Sequence, residues 1–210
     1  MSQPERISCK LLVKLEERLC DRDKEILVSL LKCRYLTTGQ IERLHFKENI
    51  SHTAALRAAN RGLAKLQGYG LIEALRRRIG GVRAGSGAYV WTLTTAGAKL
   101  LHLNGSDDLP RKRFFEPSSA FLEHTLAVSE TYLQLIEICA SQKLELIKAE
   151  LEPVCWRRYT EDGSSTILKP DLFSVTAAGT YEDAWFLEMD LEQLAELTGI
   201  STMSKPTDTI

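Results

Sequence analysis

The chain has 210 residues, 27 Lys and Arg against 28 Asp and Glu, a formal net charge of −1 and 44% hydrophobic residues. This composition is that of a soluble globular protein with room for one large or two small domains. Apolar runs fall far short of the about 20 residues that span a bilayer, and the N-terminal stretch carries Glu5, Lys10, Lys14, Glu16 and Glu17 where a secretory signal needs an apolar core. The five cysteines (Cys9, Cys20, Cys33, Cys139 and Cys155) include no CxxC pair. Neither a disulfide framework nor a zinc site is implied, and a reducing cytoplasm is expected.

The small total charge hides a segregation. Residues 1–113 hold 21 Lys and Arg against 11 Asp and Glu, whereas residues 114–210 hold 6 against 17. A basic module joined to an acidic one is expected, and the basic one suits a polyanion, of which nucleic acid is the commonest in cytoplasm.

In chain order, residues 1–20 read as a helical arm, with Leu11, Leu12, Leu15 and Leu19 at three-to-four spacing. Asp21 is an acceptable N-cap for a first core helix carrying Ile26, Leu27, Leu30 and Leu31. A turn is expected at residues 34–36, then a short helix, Gly39 to His45, capped by Thr37 or Thr38. Asn49 to Ser51 cap a longer helix to about Gln67, stopped by Gly68 and Gly70. Leu71–Leu75 and Ala88–Leu93 read as strands around an arginine- and glycine-rich segment, and Thr95 caps a closing helix, Ala96 to Leu103. Helix, helix, turn, helix, strand, loop, strand is the order of a winged helix-turn-helix module, expected here over residues 21–104.

The helix after Ser51 segregates its residues sharply. Ala55, Leu56, Ala59, Leu63 and Leu66 fall in a sector of about 80–100°, while Arg57, Arg61 and Lys65, with Asn60 beside them, fall opposite. One face packs on a core and the other offers guanidinium groups at one-turn intervals. Arg bonds guanine O6 and N7 bidentately, and Asn does so for adenine. Ser51, His52 and Thr53 at the N-terminal end are within reach of bases or phosphates, helped by the helix dipole. In the wing, Arg76, Arg77, Arg78 and Arg83 surround Gly80, Gly81, Gly85 and Gly87, a composition for a tight charged hairpin. Gly85-Ser86-Gly87 lacks the Lys-Ser/Thr ending of a P-loop. Duplex DNA is the expected partner.

Residues 105–117 read as a linker, with Pro110, Pro117 and the basic run Arg111-Lys112-Arg113. A small α/β domain is expected over residues 118–198: a long helix from Ser118 to about Gln142, then three strands, Leu144–Ala149, Thr166–Val175 and Ala184–Asp190. The helix has an apolar face of Phe121, Leu122, Leu126, Tyr132, Leu133, Ile136 and Cys139, and a solvated acidic stripe of Glu123, Glu130 and Glu137. Asp171 is expected on one strand face with Ile167 and Phe173. Glu188 and Asp190 are expected to share a face opposite Trp185, Leu187 and Met189, with both faces buried. P-D followed by E-x-D resembles the PD-(D/E)xK nuclease core, whose carboxylates hold a divalent metal that activates water. Asp171, Glu188 and Asp190 are the catalytic and metal-ligand candidates, for Mg²⁺ or Mn²⁺. Asp190 stands where that core has lysine, and strand-end carboxylates satisfied by Arg157 or Arg158 are the alternative. After Asp190 come one short helical stretch, Glu192 to Leu197, and a polar tail, residues 199–210, expected to be disordered. Either the second module is minimal, or its edge is completed by another chain.

The runs "DRDKEILVSLLKCRYLTTGQIERLHF", "GGVRAGSGAYVWTLTTAGAKLL", "FLEHTLAVSE", "LKPDLFSV" and "FLEMD" resemble, in order, the replication-relaxation family of bacterial plasmids and integrative elements. The resemblance covers most of residues 21–190 and implies a DNA-binding protein of mobile-element replication and DNA relaxation. It marks His124, Asp171, Glu188 and Asp190, and implies a basic helical continuation that the short tail replaces. The expected fold is therefore α+β, a winged helix-turn-helix followed by a truncated nuclease-like core, acting with relaxase or replication proteins and open to homodimerisation. Two other functions stay open: a metal-dependent nuclease, and a transcriptional regulator with a dimerisation domain.

Overall fold

The computed structural model describes residues 9–47, 51–76, 88–103 and 116–191. By their contacts the residues form two compact units, Met1–Leu133 and Gln134–Ile210.

In the first unit, α1 (Cys9–Glu16) and α2 (Asp21–Cys33) are followed by a two-residue strand β1 (Leu36–Thr37), α3 (Thr38–His45) and α4 (His52–Gly68). Then come β2 (Ile72–Ala74), β3 (Val90–Leu93), α5 (Thr95–Leu103) and the start of α6 (Ser119–Gln142). The sheet has the order β1-β3-β2, antiparallel throughout, with Leu36 opposite Trp91 and Ile72 opposite Leu93. Leu27, Leu30, Leu36, Ile41, Leu63, Leu66, Leu71 and Leu100 are all fully buried, each contributing about 1.5–3 kcal/mol of apolar transfer.

Local chemistry explains most boundaries. Thr37 caps α3 reciprocally: its Oγ1 accepts from Gln40 N (3.1 Å) while Gln40 Oε1 accepts from Thr37 N (2.9 Å). Ser51 caps α4 through Ala54 N. The cap of α2 is Cys20, not Asp21; the returning bond comes from Asp23, whose Oδ2 accepts from Cys20 N at 3.0 Å. Where a turn was expected at residues 34–36, Arg34 takes a positive φ of 65° and the chain enters β1 at once. Residues 9–16 are helical, and α1 buries Leu12 and Leu15 and packs on α5.

Two polar ties hold the helices in place. Asp23, 4% exposed, receives Lys65 Nζ at 2.5 Å, joining the start of α2 to the C-terminal half of α4. That bond is the leading cause of a raised Lys65 pKa. On α3, Gln40 Nε2 donates to Leu126 O (3.3 Å) and Glu130 Oε2 (3.1 Å) of α6, and Arg43 reaches Glu130 Oε1 at 2.5 Å. Glu130, expected on a solvated stripe, instead anchors α6 to α3. Phe121, expected on the apolar face of α6, is 40% exposed, with its ring edge-on to Tyr35.

The second unit holds the rest of α6 and five strands instead of three: β4 (Glu145–Leu151), β5 (Arg157–Glu161), β6 (Ser164–Leu168), β7 (Leu172–Ala178) and β8 (Tyr181–Leu187). They form an antiparallel sheet β4-β7-β8 and a separate ribbon β5-β6. The strand expected over Thr166–Val175 is two strands. Pro170, which has no N–H for a ladder, lies in the break, so Ile167 and Phe173 belong to different sheets. β8 ends at Leu187, before Glu188.

Gly97 of α5 sits against the chain entering β2: a Cβ there would lie 2.1 Å from Leu71 O, which already accepts from Thr94 N. Gly97→Ala should cost about 2–3 kcal/mol, read as a lowered urea midpoint at unchanged slope. His45 is held by Ser29 Oγ at 3.0 Å from Nε2. Burial, foremost, lowers its pKa, outweighing the upward pull of Glu25; Arg22 and Lys47 add to the lowering. The unfolded chain therefore takes up this proton first, at about pH 6.5, and stability is lost as pH falls through that value towards the folded pKa. Melting temperature should drop between pH 7.5 and 5.5, and less so in His45→Gln.

Candidate nucleic-acid interface

α4 presents two unlike faces. Ala55, Ala59, Leu63 and Leu66 are buried, at spacings of four, four and three residues. Opposite them Thr53, Arg57, Asn60, Arg61, Ala64 and Gly68 are exposed along one side over four turns. The short side chains at Ala64 and Gly68 leave the two arginines standing proud of that side.

The expected contact residues divide by what they already bond. Arg57 and Arg61 make no ion pair with any described residue, and they lie one turn apart. Asn60 Nδ2 donates back to Leu56 O at 2.9 Å, which orients its amide along the exposed side. Ser51 Oγ is engaged as the N-cap, and Thr53 is exposed in the first turn. His52 is largely exposed, with Nδ1 3.4 Å from Glu42 Oε1 of the buried Glu42 on α3. Lys65 does not join the exposed row. It is half-buried, engaged by Asp23, and its Nζ stands 6.0 Å above the Tyr69 ring. An angular wheel puts it beside Arg61, but the buried carboxylate draws its long stem the other way. Arg76 is exposed beyond β2. Arg77, Arg78 and Arg83 lie outside the described residues, as do most of the expected linker, the stretch from Glu192 to Leu197 and the tail.

The carboxylates of the second unit sit differently from expectation. Asp171 is 8% exposed and tied on three sides. Its N donates to Leu187 O (2.9 Å), its O accepts from Glu152 N (3.0 Å), and its Oδ2 accepts from Met189 N (2.8 Å). The carboxylate thus extends the hydrogen bonding between β7 and β8 past the last paired residues. Glu188 and Asp190 are exposed, not buried, and lie beyond the strand that was to carry them.

The register nevertheless brings two candidates to one place. Leu151, Leu172 and Leu187 are paired across the sheet, so Glu152, Asp171 and Glu188 follow in one row at its end, with Asp190 two residues farther along. Glu152 escaped notice in the sequence because its strand partner only becomes known from the register. Carboxylate oxygens suit Mg²⁺ or Mn²⁺, and the one buried member of the row, Asp171, also accepts a main-chain hydrogen through Oδ2. Arg157, considered as a partner for these acids, bonds Glu150 instead. His124 is half-buried on α6.

No helix among the described residues is long and apolar enough to cross a membrane. Neither the curated proteins nor the solved structures gave a match to the chain. The replication-relaxation family model matches residues 27–200, a span that runs from within α2 and takes in α3 to α6, the three-stranded sheet, the exposed row on α4 and the carboxylate row. The chain belongs to the replication-relaxation family.

Proposed function

We propose that the first unit is a winged helix-turn-helix that binds duplex DNA, with α4 as its recognition helix. In this reading the protein acts in the replication and the relaxation or mobilisation of plasmid or integrative-element DNA. Residues 21–104 form the DNA-binding domain, and relaxase or replication proteins are the partners it would orient on element DNA.

The observation that carries this reading is the exposed row on α4. Arg57 and Arg61 stand one turn apart beside Asn60, and neither arginine has an ionic partner among the described residues. Unneutralised guanidinium groups at helical spacing fit a major groove, where each bonds one guanine edge. The order of elements supports it. One helix (α2), a short strand (β1), two helices (α3, α4) and two further strands (β2, β3) closing a three-stranded antiparallel sheet follow the winged-helix sequence of parts. β1 adds a part that the sequence did not reveal. Arg76 leads from β2 into the segment where such a module carries its wing.

Family membership supports the setting, mobile-element replication and relaxation. The carboxylate row supports a nuclease less well, because Asp171 has a structural task and Glu188 and Asp190 are exposed past β8.

Arg57→Ala or Arg61→Ala should cost about 1–3 kcal/mol at a specific site, measured by fluorescence anisotropy on fragments of the element's origin. Affinity for unrelated duplex should change far less. Neutralising Arg77, Arg78 and Arg83 should weaken binding to all sequences alike and flatten the salt dependence. Lys65→Met should lower stability by about 1–2 kcal/mol and leave the ratio of specific to unrelated binding unchanged. Wild-type affinity in both Arg57→Ala and Arg61→Ala would remove the basis for the proposal.

A further inference from the structure

The ribbon of β5 and β6 stands apart from the main sheet of its unit. Among the described residues it pairs with no other strand, and its hairpin turns at Asp162 and Gly163, both at positive φ (49° and 79°). Every residue from Arg158 to Lys169 is exposed. Antiparallel register places Arg158 opposite Ile167 and Thr160 opposite Ser165. The alternation continues outward to Trp156 and Lys169, and Lys169 Nζ stands 5.0 Å from the centre of the Trp156 ring. Along its paired length one face of the ribbon therefore carries two cations, two hydroxyls, an indole and an isoleucine, and the nearest acid in that series, Asp162, lies in the turn.

Charge makes this face unusual. Residues 114–210 hold 17 Asp and Glu against 6 Lys and Arg, so a cation here has acids in abundance to pair with. Two cations do so: Lys148 and Arg157 both bond Glu150. Arg158 and Lys169 make no ion pair among the described residues. They sit diagonally across the ribbon, where like charges repel. A hydrophobic core does not explain the arrangement, since the face is open to solvent. An acidic peptide would also be attracted, but the flat, hydroxyl-lined ribbon suits a regularly spaced row of phosphates better. Arg, Lys, Ser and Thr are the side chains that bond phosphate oxygens, and two-stranded ribbons are among the elements that lie along or in DNA grooves.

We propose that this ribbon face is a second DNA-contact surface, binding the phosphodiester backbone without reading sequence. Arg158 and Lys169 supply the charge, Thr160 and Ser165 donate hydrogen bonds to phosphate oxygens, and Trp156 props the Lys169 side chain. The inference takes DNA as the ligand from the function proposed above; the ribbon belongs to the second unit and α4 to the first.

The test compares wild type, Arg158→Gln/Lys169→Gln, Arg158→Glu/Lys169→Glu and Arg57→Ala/Arg61→Ala on an origin duplex and an unrelated duplex, across a salt series. The ribbon variants should bind both duplexes more weakly, by about tenfold for the charge reversal, and should lower the salt slope by about 2. The α4 variant should lose the preference for the origin duplex while keeping its response to the ribbon charges. Circular dichroism and melting should be unchanged in the ribbon variants, because the mutated side chains are exposed. Ribbon variants with wild-type affinity and slope would overturn this inference and leave the α4 proposal standing. If wild type binds neither duplex, both fall. Loss confined to the origin duplex in the ribbon variants would also overturn it, since a backbone contact cannot discriminate in that way.

Discussion

An amphipathic helix can satisfy only one side by burial, and α4 places the first unit under that constraint. Its inner side of Ala55, Ala59, Leu63 and Leu66 must meet an apolar surface, and the small residues in the first half let neighbouring helices approach closely. Its outer side must then face water or a ligand. Arg57 and Arg61 leave the helix on that outer side and are exposed. Lys65 is the exception that shows the rule: one turn beyond Arg61, its stem is long enough to reach the buried carboxylate of Asp23. Removing Asp23 from water is tolerable only because two donors meet it, Lys65 and the backbone N–H of Cys20. The same carboxylate thus begins α2 and fixes the roll of α4, which determines which arginines are displayed.

Gln40 has the corresponding task on α3. A buried primary amide must place both of its donors and its acceptor oxygen. Its oxygen closes the cap with Thr37, and its NH₂ group is shared between the Leu126 carbonyl and Glu130 on α6. Thr38 adds a link to the sheet through the indole N–H of Trp91 at 2.9 Å. The helix preceding α4 is therefore held at its start from two directions. A rigid α3 with a well-defined start is what a short inter-helix connection needs if α4 is to be presented at a fixed angle.

How far the sequence foretold this depends on whether a feature is local. The caps at Thr37 and Ser51, the stop near Gly68 and the two faces of α4 follow from residues within a few positions of each other, and all were legible. β1 was not, because a two-residue strand has no periodicity; it exists only through pairing with β3. The split at Pro170 was a missed signal: a proline inside an otherwise continuous apolar run argues against one strand, and here it separates a ribbon from a sheet. β5 was hidden for the opposite reason. Its residues, Arg157 to Glu161, are polar enough to pass for a loop, and both faces of an exposed ribbon lack the apolar alternation that marks a strand. Lys65 went astray because a helical wheel records where a side chain leaves the backbone, not where a flexible chain ends.

Asp171 shows how a buried carboxylate can invite two explanations and how hydrogen bonding weighs between them. A metal ligand is kept by an ion that repays its desolvation, whereas a structural carboxylate is kept by hydrogen bonds. The Asp171 carboxylate takes the main-chain N–H of Met189, two residues past the end of β8. An orphan donor at a strand end costs about 1–3 kcal/mol if left unmet. A short acidic side chain one residue before β7 is well placed to meet it, because the register puts Asp171 level with Glu188. The proline before it also follows from this geometry: Pro170 ends the ribbon without offering a competing donor, and its own carbonyl accepts from the buried Cys155 thiol. The P-D pair thus has a structural task at the joint between ribbon and sheet. The acids that follow it, Glu188 and Asp190, are exposed beyond the end of β8.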